Sequence, residues 1–195
     1  MKYALLGDLH SDIEDTIAVL NHIQQQAPTA TILGLGDLYE CTIGKKKAST
    51  VNNVPLEEAA IVREEFEELL TFPSIRGNQE ERITQVTGIE RFAALPESIV
   101  IEGATLLHGH QIVWDKHWEP IELPVAIETP LLFFGHSHRS GIYRKGKKLP
   151  LTILFGEEFP LIKKKYWINV GSVVDHREWC LYDSDARTIT FMKAN

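Results

Sequence analysis

The sequence predicts a layered α/β domain, and three observations point to it. Short apolar runs ending in Gly-Asp or Gly-Asn alternate with amphipathic segments through the first half of the chain. The second half is mostly apolar runs of strand length. No fixed-period repeat or linker divides the 195 residues. Sheets covered by helices suit that pattern, and the length suits one domain, residues 1–195, with a full core.

The first strand is KYALL, residues 2–6, running into Gly7-Asp8. Ile13, Ile17, Leu20 and Ile23 then recur at helical spacing, and the helix stops near Pro28. Asp12 or Ser11 is placed to cap it. Residues 31–35 (TILGL) form the next strand, again ending in Gly-Asp. Residues 41–55 are polar and aperiodic and read as an inserted loop. Residues 56–70 offer Ala59, Ala60, Val62, Phe66 and Leu69 to a core and read as a second helix.

A third strand is expected at 72–76, before Gly77-Asn78. Residues 80–95 are helical in pieces, broken near Gly88. A hairpin follows, 99–101 and 105–107, turning at Glu102-Gly103. Strands at 131–134, 166–170, 179–182 and 188–191 complete the set, with a second loop insertion near 144–165.

The net charge of −7 argues against a nucleic-acid binder, which would carry a basic footprint. Basic runs at 45–47, 144–148 and 163–165 read as solvated loops, with steering of an anionic substrate as the rival role. Cys41 and Cys180 are far apart, so neither a disulfide framework nor a thiolate metal site is expected, and a reducing cytoplasm is the default location. No apolar run is long enough to cross a bilayer, and no leader peptide is evident.

The chemistry sits where strands end. Asp8-Leu9-His10 follows the first strand, Asp37 the second, Asn78 the third, His108 a later one, and His136-Ser137-His138 the run ending at Phe134. Residues two apart on a strand point the same way, so each x-spaced pair could converge if strand geometry persists that far. Loops at strand ends are the usual place for a site in α/β proteins. Carboxylates, imidazoles and one amide, without a thiolate, suit divalent Mn, Fe, Co, Ni or Zn, with Mn²⁺ first in line. Seven candidate ligands exceed one tetrahedral zinc and suit two ions bridged by a carboxylate, about 3.5–4 Å apart.

In this order the motifs resemble the calcineurin-like metallophosphoesterases. The family pattern Asp-x-His, Gly-Asp, Gly-Asn-His-Asp/Glu, His and Gly-His-x-His stands here as Asp8-Leu9-His10, Gly36-Asp37, Gly77-Asn78-Gln79-Glu80, His108 and Gly135-His136-Ser137-His138. Ile168-Asn169-Val170-Gly171-Ser172 is similar to a turn of the small bacterial and archaeal phosphodiesterase branch. The resemblance implies a four-layer α/β/β/α sandwich. It implies that Asp8, His10, Asp37 and His138 hold one metal, and that Asp37, Asn78, His108 and His136 hold the other. A hydroxide between the metals would attack phosphorus, and Asp37 would bridge them. The implied partner is a small phosphorylated or nucleotide-like substrate, a phosphodiester first and a symmetrically cleaved dinucleoside polyphosphate second. A homo-oligomer stays open.

Two departures matter. The family's histidine after Asn is Gln79 here, and glutamine cannot act as an acid. His110 and His117 are the candidates to replace it, with His110 placed among the catalytic residues beside Asp37 and His108. Loss of that histidine also opens a rival reading, a non-catalytic metal-binding scaffold for a protein partner. Second, Leu38-Tyr39-Glu40-Cys41 and His108-Gly109-His110 lack the protein-phosphatase signatures. Arg139, directly after His138, could clamp phosphate together with Asn78 and Gln79, or sit in a surface salt bridge. Trp114, His117 and Trp118 flank a loop after His108 and could either stack a nucleobase or simply fill a core.

Overall fold

Tyr3, Ala4, Leu5 and Leu6 are all buried, because the first strand lies inside a sheet with apolar layers on both faces. The computed structural model describes residues 1–123, 126–144 and 146–195; Lys145, in one predicted basic run, lies outside them. The chain runs β1 (Lys2–Leu6), α1 (Ile13–Gln26), β2 (Thr31–Gly34), β3 (Glu40–Cys41), α2 (Lys45–Ala48), α3 (Leu56–Ala59), β4 (Ala60–Ile61), α4 (Glu64–Glu67) and α5 (Asn78–Thr87). Strands follow: β5 (Ser98–Ile101), β6 (Ala104–Leu107), β7 (Val113–Trp114), β8 (Pro120–Glu122), β9 (Leu131–Phe134), β10 (Gly141–Arg144), β11 (Lys147–Lys148), β12 (Glu158–Pro160), β13 (Tyr166–Asn169), β14 (Glu178–Asp183) and β15 (Thr188–Lys193).

Two sheets face each other. The first has the order β12-β15-β14-β1-β2, with β1 and β2 parallel. The second has the order β11-β10-β13-β9-β6-β5, with β9 parallel to both β6 and β13. Leu5, Leu33, Leu106, Phe133, Ile168 and Tyr182 fill the space between them. On the outer face of the first sheet, Leu6, Trp179 and Met192 meet Val19 and Ile23 of α1, Phe66 of α4, and Ile83 and Val86 of α5. On the outer face of the second, Leu132, Phe134 and Tyr143 meet Trp114, Leu123 and Ile127. The mixed α/β class, with helices over one of two facing sheets, is as the sequence predicts. The outermost layer on the second sheet is, among the described residues, the β7–β8 hairpin and the loop after it rather than helix. No helix among these residues is long and apolar enough to cross a membrane.

Three local predictions are corrected. The helix expected over 56–70 is split into α3 and α4, because Ala60–Ile61 pairs with Glu40–Cys41 as β4 against β3. Tertiary pairing outweighs helical propensity there. The strand expected at 72–76 shrinks to a single bridge between Ser74 and Gly34, since Pro73 has no N–H for a longer ladder. In α1 the buried residues are Thr16, Val19 and Ile23, while Ile17 is exposed. The cap is Asp12, whose carboxylate accepts the Asp15 amide at 2.8 Å.

Phe133 is fully buried between the sheets. Phe133→Ala should lower stability by about 3–5 kcal/mol, read as a lower urea midpoint at an unchanged m-value.

Candidate metal centre

Each predicted ligand lies just beyond a strand or at a helix start, in a turn that bends sharply out of the sheet. Asp8, His10, Asp37, His136 and His138 all have left-handed backbone, with φ of 56°, 48°, 50°, 69° and 56°. The strands end at Leu6 and Phe134, so the two-residue alternation expected for Asp8/His10 and His136/His138 does not apply. Convergence is produced by left-handed turns instead. A non-glycine residue in that region costs on the order of 1–3 kcal/mol, and such residues persist only where neighbours hold them.

Hydrogen bonds supply that hold. Asp37's carbonyl accepts the amides of Leu9 at 2.8 Å and His10 at 3.1 Å. The Asp8 carboxylate accepts the His136 amide at 2.9 Å through Oδ2. The Asp37 carboxylate accepts the Gln79 amide at 2.8 Å through Oδ1. Gly36 and Gly77 let the second and third turns touch. A Cβ at Gly36 would lie 2.6 Å from the Gly77 nitrogen, and one at Gly77 would lie 2.1 Å from Asp37 Oδ1.

The functional atoms gather in two groups. Ligand atoms of Asp8, His10 and His138 lie within 4.8 Å of one another, as do those of Asp37, His108 and His136. The groups are joined through the carboxylates: Asp37 Oδ2 is 3.2 Å from His108 Nε2 and 3.8 Å from His10 Nε2. Asp8 Oδ1 is 3.4 Å from His138 Nε2. Asn78 Oδ1 stands 3.2 Å from His108 Nε2. All seven predicted ligands are thus brought together. Imidazoles are aimed by their other nitrogen: His108 Nδ1 donates to the Leu35 carbonyl at 2.7 Å, and His10 Nδ1 meets Glu40 at 2.5 Å. Partners of this kind orient metal-binding imidazoles.

The electrostatics suit a cation. Asp8 Oδ1 and His10 Nε2 are buried with no hydrogen-bond partner, which is costly unless something else satisfies them. Burial opposes ionisation of Asp37, but His108 beside it holds its pKa well below the ordinary range. Burial likewise works against a proton on His108, yet Asp37 and Asp8 raise its pKa to about 10. Burial and the positive His108 then push His136 down to about 4. For His10, burial is outweighed by the Glu40 hydrogen bond and the charges of Asp37 and Asp8, so its pKa rises. A donor set of this composition fits divalent transition ions, which bind the deprotonated ligands in place of these protons.

The other predicted residues separate. Gln79 is buried, and its carboxamide oxygen accepts from the Cys41 amide at 3.2 Å and from Arg82 at 3.3 Å. His110 borders the cluster, its ring centroid 5.5 Å from that of His108, with Nε2 3.2 Å from Glu81. Arg139 is exposed and donates to the His117 carbonyl at 3.0 Å. An open groove of about 620 Å³ lies beside His10, walled by Ile13, Ile17, Ile61 and Arg63.

Sequence reasoning gave no role to Glu80, Glu40 or Asn169. Glu80 is fully buried, and its carboxylate accepts four amides, those of Asp37, Leu38, Tyr39 and Gly77, at 2.8–3.1 Å. Its position three residues after Gly77, with α5 beginning at Asn78, was the available signal. Asn169 donates to the Gly135 carbonyl at 3.0 Å and to Ser137 at 2.8 Å, bracing the loop that carries His136 and His138.

A family model described as the calcineurin-like phosphoesterase superfamily domain matches residues 1–182. No curated protein matches the chain in sequence. Among solved structures, a metallophosphoesterase from Sphaerobacter thermophilus aligns with 18% identity and a TM-score of 0.61, covering 100% of this chain and 89% of that one. A protein named as a candidate diadenosine tetraphosphatase aligns with 14% identity and a TM-score of 0.54, covering 100% of this chain and 94% of the other.

Glu80→Gln keeps the side chain's size but turns an amide NH₂ toward backbone donors. Affinity for Mn²⁺ should fall by about 10- to 100-fold, measured by calorimetric titration, with the circular dichroism of the folded protein retained.

Proposed function

The chain belongs to the calcineurin-like phosphoesterase superfamily, and from that premise we propose that this phosphate-ester hydrolase is a two-metal phosphodiesterase acting on a small or nucleotide-like substrate. The observation that carries the reading is the pair of joined ligand groups around Asp37 and Asp8. Asp8, His10, Asp37 and His138 would hold one ion; Asp37, Asn78, His108 and His136 would hold the other. When bound, two such ions supply an activated water as nucleophile and neutralise phosphate oxygens. Mn²⁺ is the first ion to try.

This chain's own residues do the rest. Asp37 and Asp8, aimed by the Gln79 and His136 amides, fix where the anion can sit. Glu40 keeps the His10 ring oriented, and the Leu35 carbonyl does the same for His108. Because glutamine at position 79 has no titratable proton to give, the leaving oxygen would be met by His110, whose Nδ1 is free of a protein partner. Arg139 keeps guanidinium donors available for a phosphate beside its bond to His117. The reading takes residues 1–195 as one catalytic domain, and the two buried free cysteines suit a reducing cytoplasm. A metal-binding scaffold without activity is the rival that the assays separate.

With saturating Mn²⁺ the protein should cleave bis-p-nitrophenyl phosphate faster than the mono-ester, and Asp37→Ala should abolish turnover and the second equivalent of bound metal. Two bound metals with no turnover of either ester, or of diadenosine tetraphosphate, across several metals would favour the scaffold.

His110→Ala should slow esters with alkyl leaving groups by about 10²–10⁴ while leaving p-nitrophenyl esters nearly unchanged, since p-nitrophenolate needs no proton. Equal losses on both would remove His110 from that role.

A further inference from the structure

The hairpin β7–β8 brings two tryptophans to the metal cluster, and the structure uses them differently. Trp114 is partly buried, packs on Phe134 with ring centroids 5.8 Å apart, and donates its indole N–H to the Gly109 carbonyl at 2.9 Å. Core packing and a satisfied N–H account for it fully. Trp118 is 45% exposed and forms no hydrogen bond through its indole among the described contacts. Its ring nevertheless stands against the cluster, with its centroid 5.8 Å from that of His136 and 6.1 Å from that of Trp114.

The backbone at Trp118 is also fixed. Its turn is closed by the Trp118 amide to the Asp115 carbonyl at 3.1 Å and the Asp115 amide to the Glu119 carbonyl at 3.0 Å. The Asp115 carboxylate accepts the His117 and Glu119 amides at 2.8 and 2.9 Å. Arg139, next to His138, ties the same turn to the ligand loop through the His117 carbonyl. Trp118 itself has φ +62°, an unfavourable conformation for a bulky residue. An exposed indole gains little for folding from so much constraint. The ring contacts with His136 and Trp114 pre-position the indole face, and a pre-positioned face gains most for a ligand because less side-chain freedom is lost on binding.

We propose that Trp118 is the specificity-determining platform of this site, stacking a nucleobase, so that the substrate is a nucleoside 5′-phosphoryl ester rather than a simple alkyl or sugar phosphate. This rests on the phosphodiesterase reading for the reaction, but not for the binding. His136 stands next to His108, with ring centroids 5.1 Å apart, and Trp118 stands next to His136, so a base joined through its ribose to a phosphate at the cluster would lie on the indole side. Trp114 backs the platform, and Arg139 fixes its distance from the ligand loop. Flat rings of any base can stack on such a face, so the platform selects for a base without selecting which one.

The test compares ligands that share a phosphate and ribose but differ in the base. Calorimetric titration of Mn²⁺-loaded protein with AMP and with ribose 5-phosphate should show AMP binding about 10- to 100-fold tighter. Trp118→Ala should bring the two affinities together, and Trp118→Phe, which keeps a ring, should retain most of the preference. Equal affinities in the unaltered protein, or an undiminished preference in Trp118→Ala, would overturn the proposal. In parallel, the kcat/KM ratio for p-nitrophenyl thymidine 5′-phosphate over ethyl p-nitrophenyl phosphate should fall toward unity in Trp118→Ala. A Trp118-dependent preference for AMP without turnover of either ester would retire the phosphodiesterase reading and leave the platform standing.

Discussion

One buried carboxylate underlies the arrangement of the site. Glu80 accepts four backbone amides, three from the turn at Asp37 and one from Gly77. Orphaned buried donors cost about 1–3 kcal/mol each, so the turn after β2 has little reason to hold its shape without this acceptor. Everything else is hung from that turn. Asp37's carbonyl fixes the Leu9 and His10 amides, the resulting bend aims Asp8, and Asp8 Oδ2 in turn fixes the His136 amide. The ends of β2, β1 and β9 are therefore set in sequence from the start of α5. Burial and the neighbouring charge of Asp37 raise the pKa of Glu80, while the amides work the other way. The four donors are what keep an acceptor tolerable at such a position.

The cluster concentrates charge that the fold alone does not balance. Asp8, Asp37 and His108 are buried, and protonating His108 to satisfy Asp37 drives His136 in the opposite direction. No single distribution of protons suits every member, because imidazoles that share a carboxylate also repel one another when charged. Divalent cations held by these residues would resolve the conflict, because they favour the deprotonated form of every member. The strained turns fit the same explanation: left-handed backbone at five of the predicted ligands is a cost that regular strands would avoid, and it brings side chains from three strand ends together.

Much of this was legible in residues 8–138. The motif order picked out the seven residues that the fold gathers, because residue types and strand ends are both local properties of sequence. The geometry that joins them was not, since alternation along a strand is a local rule and the left-handed turns are imposed by contacts between segments far apart. The same limit explains the split helix over 56–70. Its apolar spacing is helical, but the Glu40–Ile61 and Cys41–Ala60 pairs form across the fold. Glu80 was visible as part of a motif, yet its task depends on which amides lie above it. Trp114 and Trp118 looked equivalent in sequence, and only burial and hydrogen bonding separate a core residue from an exposed one.

The split helix also explains Gln79. Pairing of β4 with β3 brings Glu40 to the His10 imidazole, and Ser11 ties both strands by accepting the Glu40 amide and donating to the Ile61 carbonyl. The Gln79 carboxamide then accepts the next amide along, that of Cys41, from the opposite side. A histidine at this position would offer a shorter, differently angled ring nitrogen and would leave that amide without its acceptor. Gln79 is thus better understood as the brace that keeps Glu40 on His10 than as a damaged acid. The position that follows Asn78 thus serves the shape of the cluster, while His110 borders the same cluster with its ring centroid 5.5 Å from that of His108.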